Sequence, residues 1–210
     1  MNFLDNTLIG YFTLAAGVSA LLQVTFLILM FTVSNRPFGT ISDYFYALTP
    51  LLILPLFFSL RQSTELQQTG LSQILLIIGI IGLLIASITQ VVLLIKIINY
   101  KQSVLGNIVG TSLMGITILA YAASHLNSAL PSGFTWFGIS LGAVMLSGFI
   151  TAAFFLDKVT AMSSGQFIPT TTNPLMSVVV WAGMLAQIGL PIWLLWAARL
   201  LLNGTLKIVV

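Results

Sequence analysis

Three glutamines lie within otherwise apolar stretches of this sequence, at Gln23, Gln90 and Gln187. A buried amide can hydrogen bond to a neighbouring helix, or it can line a cavity that admits a neutral polar solute. Pro50 and Pro55 share another apolar stretch, where each removes a backbone hydrogen bond and favours a bent helix. These five residues are the predicted lining of a solute path, and interhelical hydrogen bonding is the alternative.

The single histidine, His125, is the one candidate for binding a cofactor. One imidazole can serve as an axial ligand to haem or chlorophyll, whereas a histidine near a helix end can also be a hydrogen-bonded structural residue. The chain has no cysteine, which excludes thiolate chemistry, and it has no P-loop or HExxH motif. We therefore expect no enzymatic activity, no metal site and no cofactor other than this haem or pigment hypothesis.

Three charged residues, Arg36, Asp43 and Lys96, are predicted to lie at one membrane face. Asp43 follows Thr40 at the predicted start of the second helix, where a carboxylate can cap free backbone N–H groups. Alternatively, Asp43 forms an ion pair with Arg36, Lys96 or Lys101. We expect no charged side chain deep in the membrane, which argues against a proton- or ion-coupled transporter.

Small residues four positions apart occur twice, as Gly106-x-x-x-Gly110 and Gly138-x-x-x-Gly142. Glycines at this spacing let helix backbones approach each other closely. The two motifs fall on the fourth and fifth predicted spans. We therefore expect a tightly packed hairpin of these spans, or a face of it that docks a partner.

The composition places these residues in a membrane protein. Of the 210 residues, 58% are hydrophobic and only 5% are charged, whereas soluble domains carry about 25% charged residues. So few charges cannot cover a surface facing water, and the net charge of +3 is too sparse for a nucleic-acid surface. We expect a multi-pass protein of a bacterial inner membrane or an internal membrane, with the bilayer as its partner.

Charged and proline-rich segments divide the chain into intervals of helix length. Because a spanning helix needs about 20 apolar residues, we predict an all-α, single-domain bundle over residues 1–210 with both termini on one side. The N-terminus lacks the positive residues of a secretory signal, so the first span is expected to be retained. The second helix should lie inside the bundle, and Trp193 and Trp196 should lie near an interface. The six predicted spans are about 8–32, 42–60, 71–95, 104–126, 134–156 and 174–202.

Several short motifs are similar to those of a loose group of uncharacterised six-helix bacterial membrane proteins. They are Pro37-Phe38-Gly39 with Ile41-Ser42-Asp43, the run ending Leu-Leu-Ile-Leu-Pro55, Phe134-Thr-Trp136-Phe-Gly138, and the segment from Gly189 to Leu201. The resemblance implies an integral membrane protein without assigned chemistry, and no catalytic residue is carried over from it.

Three functions follow as hypotheses. The first is a non-enzymatic membrane protein, either free-standing (alone or as a homo-oligomer) or an accessory subunit of a larger membrane complex. The second is a transporter or facilitator for a small neutral or lipophilic solute, using the glutamines and the bent second helix. The third is a haem- or pigment-binding protein that uses His125.

Overall fold

A computed structural model describes residues 5–33, 35–60, 71–128, 130–154, 157 and 174–206, with side chains except at 35, 36, 174–177, 179 and 180. Within these ranges all regular secondary structure is helical, and six spans are long and apolar enough to cross a membrane. The predicted all-α architecture with six spans is therefore confirmed. The helices are α1 (Asn6–Thr32), α2 (Asn35–Leu60), α3 (Ser72–Leu94), α4 (Tyr100–Ser124), α5 (Ser132–Leu146), α6 (Gly148–Phe154) and α7 (Pro174–Leu202), with α5 and α6 together forming the fifth span.

The six spans form a closed ring in chain order. Each span packs against the one before and the one after it, and α7 packs against α1. The start of α1 lies beside the end of α7, because a Cβ atom added to Gly10 would lie 2.8 Å from Leu202 Cδ2. Both described ends are thus on the same side, as predicted, and we call this side the terminal face. The expectation that α2 is enclosed by other helices is wrong, because α2 is a ring member between α1 and α3.

The second span begins earlier than the predicted residue 42. The helix starts at Asn35, so Pro37 lies in its first turn. Proline is tolerated there because the first backbone N–H groups of a helix have no partner within the helix. Asp43 therefore lies eight residues inside α2, about 12 Å along its axis. This shift moves Asp43 from the predicted start of the helix into its interior turns.

The turn between α3 and α4 is built from two local motifs. Lys96 adopts a left-handed conformation with φ of 62°, and Ile97 N–H donates to the Val92 carbonyl at 3.0 Å. This is the hydrogen-bond pattern that ends helices at a left-handed residue. Asn99 then caps α4, because its Oδ1 accepts from Gln102 N–H at 2.9 Å and Gln102 Oε1 accepts from Asn99 N–H at 3.0 Å. The capping box places the start of α4 at Tyr100, four residues before the predicted start.

An aromatic group fills the ring near the terminal face. Trp193 is 0% exposed, and its ring stacks on Phe134 at a centroid distance of 5.5 Å. Trp196 packs edge-on against the same Phe134 ring at 5.7 Å. The prediction that Trp193 lies at a membrane interface is wrong, because the ring interior buries it. Trp181 is instead the tryptophan of α7 that faces outwards, with 64% of its surface exposed.

The glycine motifs bring α4 close to two different neighbours. Gly110 packs on α3, where an added Cβ atom would lie 2.7 Å from the Gly82 carbonyl oxygen, and Gly106 also faces α3. Gly142 packs on α4, where an added Cβ atom would lie 2.7 Å from the Gly115 carbonyl oxygen. Gly138 contacts both α4 and α7. The expected tight hairpin of spans four and five therefore exists, but Gly106 and Gly110 belong to the contact of α4 with α3.

Candidate functional site

A cavity of about 30 Å³ lies between the spans at mid-bundle. Five of the six spans contribute to it, so it is enclosed by the ring and is not a groove between two helices. This volume exceeds the minimum for one ordered water molecule. The lining residues are Gln23, Tyr46, Thr49, Pro50, Ala86, Thr111, Met114, Ala186, Gln187 and Leu190.

Four of the lining side chains make hydrogen bonds among themselves, and we call them the central chain: Gln23, Gln187, Tyr46 and Thr111. Gln23 Nε2 donates to Gln187 Oε1 at 2.8 Å. The Tyr46 hydroxyl hydrogen bonds with Thr111 Oγ1 at 3.2 Å and interacts with the adjacent Gln187 side chain. The central chain thus crosses the cavity from α1 through α7 and α2 to α4. It holds donors and acceptors at a depth where lipid offers none.

A second polar group, the Asp43 cluster, comprises Asp43, Gln90, Ser103 and Asn107. Gln90 is 2% exposed, and its Oε1 accepts hydrogen bonds from Asn107 Nδ2 at 2.8 Å and Ser103 Oγ at 3.3 Å. The Asp43 carboxylate lies beside the Gln90 side chain and interacts with it. Asn107 Oδ1 is buried and has no hydrogen-bond partner among the described residues. The cluster therefore combines one charged group with one unsatisfied acceptor.

The Asp43 cluster lies one helical turn from the cavity, on the side away from the terminal face. Asp43 precedes Tyr46 by three residues on α2, and Asn107 precedes Thr111 by four residues on α4. Residues three or four apart share a helix face. The cluster and the central chain therefore form one polar zone that extends from the cavity toward the face opposite the terminal face.

Apolar side chains close the cavity on its other side. Beyond Pro50, Met114 and Leu190, the interior toward the terminal face holds residues with at most 1% of their surface exposed. These include Ile53, Leu56, Phe57, Leu83, Ile118 and Leu194. The polar zone thus ends at a packed apolar layer toward the terminal face.

Asp43 does not cap a helix, contrary to one of the two interpretations of the sequence. It lies too far inside α2 to reach the free N–H groups of the first turn. Of its predicted partners, Lys96 is exposed beyond the end of α3, Lys101 pairs with Asp157, and the Arg36 side chain lies outside the described part. Asp43 lies inside a spanning helix, and the absence of charged side chains deep in the membrane stays a prediction.

The other predicted lining residues divide between the two polar groups. Gln23, Gln187 and Pro50 line the cavity, Gln90 belongs to the Asp43 cluster, and Pro55 lies beyond the cavity toward the apolar layer. Near Pro50, the Ser87 hydroxyl of α3 donates to the Ala47 carbonyl of α2 at 2.8 Å. A hydroxyl from a neighbouring helix is one way in which backbone groups near a membrane proline are satisfied.

His125 lies at the end of α4, near the terminal face and away from both polar groups. It is 4% exposed, and its Nδ1 lies 2.9 Å from the Tyr121 carbonyl oxygen and 3.0 Å from Ser124 Oγ. Its ring also packs on the Tyr121 ring at 4.3 Å. This packing is typical of a structural histidine, and haem or pigment ligation stays a prediction.

Sequence reasoning did not single out Tyr46, Ser103, Asn107 or Thr111 as site residues. A signal for three of them was present, because Ser103, Asn107 and Thr111 are spaced four residues apart on an apolar helix. That spacing places polar groups in a stripe along one face. Which neighbouring helix this stripe faces depends on the ring.

Comparisons of the chain with protein-family models, with curated proteins and with solved structures find no match. The resemblance to uncharacterised six-helix bacterial membrane proteins stays a prediction. The function must therefore be argued from the polar zone itself.

Proposed function

We propose that this integral membrane protein is a transporter or facilitator for a small, uncharged polar solute that binds in the central cavity. The observation that carries the proposal is the central chain, whose four hydrogen-bonding side chains line a cavity enclosed by five spans. Glutamine, tyrosine and threonine side chains both donate and accept hydrogen bonds, so they match hydroxyl and amide groups of a solute. The cavity volume favours a solute of only a few non-hydrogen atoms.

The apolar layer indicates a carrier that changes conformation. A polar solute in the cavity meets tightly packed side chains toward the terminal face, so its passage requires the helices to move. Pro50 borders the cavity and Pro55 lies one to two turns further along α2. Proline weakens the hydrogen-bond ladder of a helix. We place the bend of the transport cycle in this part of α2.

Two threonines on α4 provide a matched test. Thr111 bonds to Tyr46 at the cavity, whereas Thr117 Oγ1 donates to the Leu75 carbonyl at 2.9 Å and does not line the cavity. Thr→Val keeps the side-chain shape and removes one interhelical hydrogen bond in each case. Purified protein is reconstituted in liposomes, and uptake of urea or glycerol is followed by light scattering after an osmotic jump.

We expect wild-type liposomes to take up at least one of these solutes faster than protein-free liposomes. The Thr111→Val variant should slow uptake by about fivefold, because one hydrogen bond contributes about 1 kcal/mol. The Thr117→Val variant should transport as the wild type does. Equal slowing by both variants, or uptake no faster than in protein-free liposomes, would contradict the proposal.

A second proposal, an accessory subunit or a homo-oligomer, is favoured by the outward face of α7. A Cβ atom added to Gly183 would meet no atom of the described residues within 4 Å, and the side chains of Trp181 and Leu185 beside it are exposed. An exposed glycine on a spanning helix lets a second helix approach closely. Native mass measurement in mild detergent tests this proposal, with Gly183→Leu expected to dissociate the assembly. A wild-type protein that is monomeric without a co-purifying subunit would argue against it.

A further inference from the structure

We infer that the Asp43 cluster is a binding site for one small monovalent cation. The inference goes beyond the proposed function, because a cation can bind here whether or not the cavity carries a solute. It rests on the orientation of the Gln90 amide, on the buried acceptor Asn107 Oδ1, which has no described partner, and on the charged residues around Asp43.

The orientation of the Gln90 amide is determined by its partners. Its Oε1 already accepts from Asn107 Nδ2 and Ser103 Oγ. The Asp43 carboxylate lies beside Gln90, and because an ionised carboxylate only accepts hydrogen bonds, the amino group of Gln90 is the end that faces it. Gln90 therefore presents a donor to Asp43 and is held in place by two residues of α4.

This arrangement leaves oxygen acceptors unused. The amino group of Asn107 donates a hydrogen bond to Gln90. The Oδ1 atom of Asn107 is buried and has no partner among the described residues. The Asp43 carboxylate has lone pairs beyond those that face Gln90, because an ionised carboxylate has about four acceptor positions. Asn107 hydrogen bonds to Gln90, and Asp43 lies beside Gln90. The unused oxygen acceptors therefore neighbour the same side chain, and oxygen acceptors of this kind suit hard cations.

The charge of the site favours a monovalent ion. No group of three histidine, cysteine, aspartate or glutamate side chains occurs among the described residues, and Asp43 supplies a single negative charge. Calcium and magnesium sites usually combine several oxygen ligands with more acidic groups, whereas carboxylate and amide oxygens in general suit hard cations. One carboxylate is balanced by one monovalent cation.

No protein cation takes this place within the described part of the chain. The two helices packed against α2, namely α1 and α3, contain no charged residue. On α4, Lys101 pairs with Asp157, and Lys96 lies exposed beyond the end of α3. The neighbouring titratable groups on α2 are Tyr44, which is exposed, and Tyr46, which belongs to the central chain. An ionised Asp43 therefore has no described cation as its partner inside this span, where a charge normally requires one.

The position of the site connects it to the cavity. Asp43 and Asn107 are each one turn from a member of the central chain, so a bound cation would order α2 and α4 beside the cavity. By thermodynamic linkage, a solute that prefers the ordered state would bind more tightly with the cation present. This coupling rests on the proposed function, whereas cation binding does not.

Equilibrium binding of radioactive Na⁺ and Na⁺-dependent thermal unfolding test the site in the purified protein in detergent. Choline chloride at equal concentration controls for ionic strength. The variants are Asp43→Asn, which keeps the shape and an acceptor for Gln90, and Asn107→Leu. The matched control is Asn6→Leu, because Asn6 Oδ1 is also buried without a partner but lies at the terminal face.

We expect the wild type to bind about one Na⁺ per chain and to unfold at a higher temperature in NaCl than in choline chloride. Asp43→Asn should abolish both effects, Asn107→Leu should weaken them, and Asn6→Leu should keep them. Absence of Na⁺ binding in the wild type, or unchanged binding in Asp43→Asn, would overturn the inference. Solute uptake is not part of this measurement, so its outcome is independent of the transport proposal.

Discussion

Replacing Gly110 with alanine is expected to push α3 and α4 apart. The new Cβ atom would lie 2.7 Å from the Gly82 carbonyl oxygen and 2.8 Å from the Ala86 backbone nitrogen. Both atoms belong to the α3 backbone, so no side-chain rotation can relieve the contact. The helix itself must shift, and such overpacking costs about 1–3 kcal/mol.

The matched control is Gly183→Ala on α7. Alanine favours a helix over glycine by up to about 1 kcal/mol, and this gain applies at both positions. At Gly183 the added methyl group meets no atom of the described residues within 4 Å. Only the gain in helix propensity therefore changes the stability of that variant. The difference between the two variants therefore isolates the packing cost, and we expect Gly110→Ala to be less stable by about 1–3 kcal/mol.

The difference in stability between the two variants is measured by unfolding in mixed micelles. The fraction of denaturing detergent is increased, and tryptophan fluorescence follows the unfolding. Trp193 is buried in the ring and should report its opening. The reasoning would be refuted if Gly110→Ala were as stable as Gly183→Ala. It would also be refuted if both variants were equally destabilised in monomeric protein, because a Cβ atom at Gly183 would meet no atom of the described residues within 4 Å.

Three further predictions use the same unfolding measurement or the same fluorophores. Lys96→Gly should stabilise the protein by about 1 kcal/mol, because Lys96 has a φ of 62° and glycine adopts that conformation without steric cost; a loss of stability would show that the side chain has another role. Ser87→Ala should destabilise by about 0.6–2 kcal/mol by removing the hydrogen bond to the Ala47 carbonyl, and an unchanged stability would show that this carbonyl is satisfied without it. Brominated lipids should quench Trp181, which is 64% exposed, and not Trp193, which is 0% exposed; single-tryptophan variants with equal quenching would contradict the packing of α7.

Local sequence patterns were sufficient to predict the six spans but not to predict where each helix begins. The apolar intervals between charged segments predicted all six spans, because hydrophobic length is a property of the chain alone. The start of α2 was misplaced because Pro37 was interpreted as a helix stop, although proline also fits the first turn of a helix. That misplacement put Asp43 at the start of the helix in the prediction, whereas Asp43 lies eight residues inside α2.

The spacing of small residues does not predict which helices pack against each other. The small-residue motifs showed that two helices would approach closely, yet Gly110 approaches α3 and Gly142 approaches α4. A motif describes one helix face and carries no information about which neighbour covers it. The same limit applies to Trp193, which has the composition of an interface anchor and is buried because α7 turns it toward Phe134.

The sequence by itself determined that this protein is a bundle of membrane-spanning helices with amides in its apolar segments. Those properties follow from composition and local order, because lipid requires apolar length and satisfied backbone groups. Only the tertiary structure decided that Gln23, Gln187, Tyr46 and Thr111 form one chain around a cavity, with Asp43 and Gln90 one turn away. These residues lie on different helices far apart in sequence. Closure of the ring, with α7 against α1, brings them together.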